Sequence, residues 1–248
     1  MVERTPHSPV LEARNVSKTY GAIRAVDNVS LRVDAGCIFG VIGPNGAGKS
    51  TLFRLLSGFD RPNAGQITFG AHRRIETLTA FQRARLGLVR TFQELEVFPE
   101  LSAGEILTTA ALLRHSLAQA RERARAVAAD FEIPWSALPA ELGPGMLRRI
   151  ELARCIVAEP RIVLFDEVMA GLTMQEADFM MRRIADLHES GVAVVVVEHV
   201  MHVVRTLCRH IYVMASGRLI AEGGPNEIAR DPDVIAAYLG RRAGARLA

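Results

Sequence analysis

An α/β architecture, with a helix-covered parallel sheet interrupted by a helical insertion, follows from three features of the chain. Three short apolar runs, 37–42, 162–165 and 192–197, each end on a polar or glycine-rich segment. Stretches of helical character, 49–58 and 174–190, alternate with these runs. Between them, residues 102–131 carry no strand pattern and are rich in alanine, leucine and arginine.

The runs are continuously apolar and rich in β-branched residues, as strands covered on both faces are. The alternation of strand, loop and helix implies a parallel sheet. In open sheets of this class the ligand crevice lies at the carboxyl edge. The residues that close the runs, Gly43, Asp166 with Glu167, and Glu198 with His199, are therefore expected together there. Ser102 followed by Glu105 forms a capping box, so a helix begins after Ser102. The expected organisation is a core of residues 1–93 and 159–240, a mostly helical insertion at 94–158, and a frayed tail at 241–248. Arg121, Arg123 and Arg125 read as a solvated helix face rather than a nucleic-acid site.

A length of 248 residues suits one large domain or a domain with a lobed insertion, and 49% hydrophobic with 23% charged residues is an ordinary globular balance. The net charge of +3 is too weakly basic to argue for nucleic acid. Lys18 and Lys49 are the only lysines among many arginines, which makes Lys49 stand out. Cys37, Cys155 and Cys208 are too far apart for a metal motif or a disulfide framework, so a reducing, cytoplasmic setting is expected. Residues 1–10 have no apolar signal-peptide core. The run 192–197 is too short to span a bilayer, so a role at a membrane requires a partner that supplies the spans.

Gly43-Pro44-Asn45-Gly46-Ala47-Gly48-Lys49-Ser50 fits the phosphate-loop pattern G-x-x-x-x-G-K-[ST], and Thr51 follows it. The glycines let backbone N–H groups point at phosphate, and the next helix presents its positive end. The pattern assigns Lys49 to the β- and γ-phosphates and the Ser50 hydroxyl to magnesium. Its context, after a buried strand and before a helix, is the one the motif requires. Asp166 at the end of a second strand fits the other magnesium-coordinating acid, and Glu167 can polarise a water for attack on the γ-phosphate.

With these residues in place, the chain resembles the nucleotide-binding subunits of ABC transporters over nearly its whole length. The resemblance implies a RecA-like P-loop core, an antiparallel β lobe in the N-terminal part, ATP and Mg2+ as ligands, and ATP hydrolysis. By resemblance Tyr20, in Ser17-Lys18-Thr19-Tyr20-Gly21, stacks on adenine, where an aromatic face gives energy without reading the base strongly. Gln93 is expected at magnesium and the attacking water, and as a hinge of the helical subdomain. His199 is expected at the γ-phosphate. Leu142-Gly143-Pro144-Gly145-Met146 aligns with the family signature, which caps ATP on a partner's phosphate loop; Ala170-Gly171-Leu172-Thr173 aligns with the loop that communicates across the dimer.

The chain departs from the family pattern in several places. Gly143 stands where the signature has serine and Met146 where it has glutamine; Val168 replaces a proline and Val200 an aspartate. As a helix cap, glycine for serine costs only about a few tenths of a kcal/mol. A hydrogen bond to a charged phosphate is worth more, about 1.5–3 kcal/mol, so the change implies ATP closure weakened roughly ten- to a hundredfold at that site. Residues 84–93 and the ending 223–240 look like the ATPase subunits of branched-chain amino acid importers, relatives of which serve amide or urea import. This implies a second ATPase subunit in a heterodimer or homodimer, transmembrane permease subunits, a periplasmic solute-binding protein, no nucleic acid, and a place on the cytoplasmic face of the membrane. Three readings stay open at this level: an importer ATPase, the ATPase of a lipid or lipopolysaccharide exporter, and a regulatory subunit with weak turnover.

Overall fold

The computed structural model describes residues 9–70, 73–91, 98–198 and 201–244. Gln93 and His199 lie outside the described residues, as does Val200.

Two sheets organise the chain. The first is antiparallel, in the order β2 (Ile23–Val33), β1 (Leu11–Tyr20), β4 (Ala64–Phe69), β5 (Arg73–Arg74). The second has six strands in the order β10 (Arg218–Gly223), β9 (His210–Ala215), β3 (Ile38–Ile42), β8 (Ala193–Val197), β7 (Ile162–Asp166), β6 (Leu88–Arg90). Five of the six are parallel, and the edge strand β10 runs antiparallel to β9. The three strands expected from apolar runs are β3, β7 and β8, and all fifteen of their residues are buried.

Both faces of these strands are covered, which is why the runs show no alternation. Phe39, Val41, Leu164, Val195 and Val197 pack with helix α1 (Lys49–Ser57) and the antiparallel sheet. Ile38, Ile42, Val163, Phe165, Val194 and Val196 pack on the opposite face, where most of the remaining helices gather. The antiparallel strands are half exposed and bulged. The β1–β2 register shifts between Ala13 and Val16 and again before Thr19, so no clean period marks them in the sequence.

Helix α2 (Ala80–Leu86) starts on a Thr79–Gln82 capping box. Between β6 and β7 the described residues form α3 (Ala103–Ala111), α4 (Leu117–Asp130), a 3-10 turn (Pro139–Glu141) and α5 (Pro144–Val157). Ser102 accepts from the Glu105 N–H while the Glu105 carboxylate accepts from the Ser102 N–H, closing the expected capping box. Ala120, Ala124 and Ala128 form the buried stripe of α4 and let it approach its neighbours closely. Arg121 is exposed as expected. Arg125 is exposed too, lying over the Trp135 ring, whereas the partly buried Arg123 donates to the Ile156 and Val157 carbonyls at the end of α5. Helix α6 (Met174–Glu189) links β7 to β8, and α7 (Met201–Leu207), α8 (Pro225–Ile228) and α9 (Pro232–Gly244) complete the chain. The backbone of α9 is helical through Gly244, into the segment expected to fray.

Candidate functional site

Register brings the strand ends together. Asp166 on β7 and Val41 on β3 both sit opposite Val197 of β8. The phosphate loop leaves β3, Asp166 and Glu167 leave β7, and Glu198 leaves β8, all along one edge. Facing the loop is a cavity of about 890 Å3, walled by Ile23, Arg24, Asn45, Gly46, Lys49, Ser50, Thr51, Glu167 and Ser216. That volume suits a nucleotide-sized ligand.

The loop is wedged between distant strands. Gly43 has φ 150°, and a Cβ there would lie 2.1 Å from the Met214 carbonyl oxygen. At Gly48, with φ 101°, a Cβ would lie 2.3 Å from the Ala25 oxygen. Only glycine meets both constraints. Gly48 is the N-cap of α1 and has no side-chain cap, and the first turn carries no acid, so the helix start is left to an anionic ligand. Lys49 is buried, and its amine donates to the Gly43 and Pro44 carbonyls at 2.8 and 3.1 Å, which holds it across the loop. Ala47 accepts from the Gly217 N–H at 3.0 Å, tying the loop to the β9–β10 hairpin.

Asp166 is 1% exposed. Its Oδ2 accepts from Arg90 Nη2 at 2.7 Å, and its N–H donates to Thr91 Oγ1 at 3.0 Å. Its Oδ1 is buried with no hydrogen-bond partner among the described residues. Burial pushes this carboxyl above the ordinary carboxylate range, and the Arg90 guanidinium pulls it back only in part. Next to it, Glu167 takes φ 52°, a conformation uncommon for a side-chain-bearing residue, and its N–H donates to the Val197 carbonyl. That turn places Glu167 on the cavity wall, beside Lys49 and Ser50.

A magnesium ion fits this arrangement. Among the described residues no group of three or more His, Cys, Asp or Glu converges. A hard cation shared with phosphate needs no such cage: one carboxylate and one hydroxyl suffice when substrate oxygens and waters complete the shell. The orphaned Asp166 Oδ1 and the Ser50 hydroxyl are donors of that kind.

Other expected residues lie elsewhere. Tyr20 is half exposed and absent from this cavity wall; its hydroxyl donates to Asp60 Oδ2 at 2.5 Å, and Lys18 sits over its ring. Gly143 is the exposed N-cap of α5 with φ −74°, Pro144 opens the helix, and Met146 packs against the core. Leu142 also packs against the core, and the Glu176 carboxylate lies directly against Gly145. Along the loop 170–173, Gly171 has φ 77°, and Thr173 caps α6 with Glu176. Glu198, expected at this edge, is buried, and its Oε1 accepts from the Met169 N–H at 3.0 Å. The residues not anticipated are Ile23, Arg24 and Ser216, brought in by strand pairing. No local motif marks them.

The sequence model of the ABC transporter family matches residues 26–170, and that of the branched-chain amino acid ATP-binding cassette transporters matches 218–244. The high-affinity branched-chain amino acid transport ATP-binding protein BraF of Pseudomonas aeruginosa is 37% identical over 94% of this chain and 98% of its own. The lipopolysaccharide export system ATP-binding protein LptB of Escherichia coli is 35% identical over 93% and 97%. Among solved structures, the ADP conformation of MJ1267, an ATP-binding cassette of an ABC transporter, superposes with a TM-score of 0.84 at 26% identity, covering 94% of this chain and 100% of that one. The dimeric cassette MJ0796 bound to ADP and Pi gives 0.79 at 25% identity, covering 87% and 98%. A nucleotide-sized cavity on a phosphate loop, matches along most of the chain and agreement in fold lead to one conclusion: the chain belongs to the ABC transporter family, as one of its ATP-binding, ATP-hydrolysing subunits.

Proposed function

We propose that this subunit energises import of branched-chain amino acids or a related small solute, with Mg·ATP as the hydrolysed substrate. The match of residues 218–244 to the branched-chain amino acid cassettes favours import over lipopolysaccharide export. The observation that carries the chemistry is Glu167, turned into the cavity beside Lys49 and Ser50.

The loop amides and the start of α1 bind the phosphates, and Lys49 leaves its loop carbonyls to meet the β- and γ-phosphates. Ser50 and Asp166 hold Mg2+, which neutralises charge on the phosphates when bound. Glu167 accepts a hydrogen bond from the attacking water and aligns it with the γ-phosphate. Gln93 and His199 are assigned to the same water and to the γ-phosphate by family resemblance. The Tyr20 ring serves the adenine after releasing Asp60. A second ATPase subunit, different from this chain, closes over the nucleotide. The segment 142–146 and the loop 170–173 face that subunit, and transmembrane permeases fed by a periplasmic binding protein follow the motion from the cytoplasmic side.

Glu167→Gln tests the assignment. The variant is expected to bind ATP with affinity close to wild type, while steady-state turnover with the transport partners falls by about a hundredfold or more. Turnover equal to wild type would remove Glu167 from the chemistry.

A further inference from the structure

Arg90 closes β6, and its side chain is 10% exposed. Each edge of the guanidinium is engaged. Nη2 donates to Asp166 Oδ2 at 2.7 Å, Nε to the Thr91 carbonyl at 3.1 Å and Nη1 to Ser57 Oγ at 3.3 Å. Its Cζ lies 5.9 Å from the Phe53 ring centroid and 5.8 Å from that of Phe59. Arg90 therefore joins the end of α1, the helix that starts at the phosphate loop, to the acid at the end of β7. Thr91 completes the grip by accepting the Asp166 N–H. One carboxylate oxygen is fixed, and the other is buried and has no hydrogen-bond partner among the described residues.

We propose that Arg90 is a positioning residue for magnesium: it engages Asp166 Oδ2 so that Oδ1 is the oxygen offered to the metal. The inference rests on Asp166 being the metal-facing acid. Groups that orient a metal-facing carboxylate set metal affinity without touching the metal. Arginine suits the task because its planar fork binds three acceptors at once, which an ammonium on a flexible stem does not reproduce. The alternative role is a purely structural ion pair that pins β6 to β7. That role predicts nucleotide binding impaired equally with and without metal.

The test is equilibrium binding of a fluorescent ATP analogue to the full chain, first in excess chelator and then across a Mg2+ titration. The variants are Arg90→Gln, Arg90→Lys and Asp166→Asn, each checked for fold by circular dichroism. For Arg90→Gln, binding in chelator is expected within about twofold of wild type, and the Mg2+ midpoint is expected to rise roughly ten- to a hundredfold. Arg90→Lys keeps the charge and is expected to give an intermediate midpoint. An unshifted midpoint in Arg90→Gln, or binding lost equally in both conditions, overturns the proposal. If Arg90→Gln does not fold, an unshifted midpoint in Arg90→Lys overturns it instead. Asp166→Asn separates the two levels. If it too leaves the Mg2+ response intact, the metal assignment itself is wrong; if it alone abolishes the response, only the role of Arg90 falls.

Discussion

Gly143 occupies a position where a larger residue would meet no resistance. An added Cβ has no neighbour within 4 Å, and φ is −74°, open to any side chain. Gly143→Ser should therefore leave stability within about 0.5 kcal/mol of wild type. Restoring a donor to a bound γ-phosphate should raise the ATPase rate of the assembled transporter by up to about tenfold. A flat rate, measured beside an unchanged melting curve, would show that the hydroxyl is not what this site lacks. Lys49, Ser50, Asp166 and Glu167 were legible in the sequence because each sits in a local pattern with its strand or helix beside it. Ile23, Arg24 and Ser216 were not, because they reach the cavity wall only where the β1–β2 and β9–β10 hairpins, far apart in the chain, meet through the Asp27 N–H on the Gly217 carbonyl. Arg83 and Arg90 resemble any other arginine in an arginine-rich chain until their burial is seen.

Arg83 acts on whole elements. It is fully buried on α2 and reaches the end of α1, donating to the Leu55 and Leu56 carbonyls at 2.6 and 2.7 Å and to the Leu78 carbonyl at 3.1 Å. Burial pushes the guanidinium down to about 10, still well above neutral pH, so it stays charged. It closes α1 at the end opposite the phosphate loop, where helix carbonyls lack partners of their own. Arg83→Met is expected to strand two buried carbonyls at about 1–3 kcal/mol each, lowering unfolding free energy in urea by at least about 2 kcal/mol. Arg83→Lys should recover little of this, having no fork. A urea midpoint unmoved by Arg83→Met would mean that water or a neighbour takes over the carbonyls. Element identity was readable where a helix carries its own caps, as α3 does with Ser102 and Glu105. The short strand β6 and the half-exposed β10 offered no such signature.

At the scale of the molecule, two apolar layers enclose the central sheet, and the thiols report on their tightness. Cys155 and Cys208 belong to the helical side, and burial pushes both up to about 12. Cys37 is only partly buried, and burial raises it too. Because the thiolate is the reactive form, the two deep cysteines stay protonated and inert until pH approaches 12. Of the three cysteines, at most Cys37 should react with a disulfide reagent at about pH 8 in the native protein, and all should react in denaturant. Rapid native labelling of Cys155 or Cys208 would mean that the helical layer opens. The strand order was beyond the reach of periodicity. Nothing in the apolar runs says that β8 inserts between β3 and β7, because order is set by how crossovers pack.

The wedging of the phosphate loop also bears on how the protein is made. The motif is complete once Ser50 has been synthesised. Its shape, however, depends on the Met214 carbonyl against Gly43 and on the Gly217 N–H bonded to Ala47. Both belong to a hairpin near the other end of the chain. A nascent polypeptide leaving the ribosome N-terminus first carries the finished motif for most of its translation without the strands that hold it in shape. Nucleotide capture is thereby expected only once the subunit is nearly whole, and a chain truncated before this hairpin should fail to bind ATP.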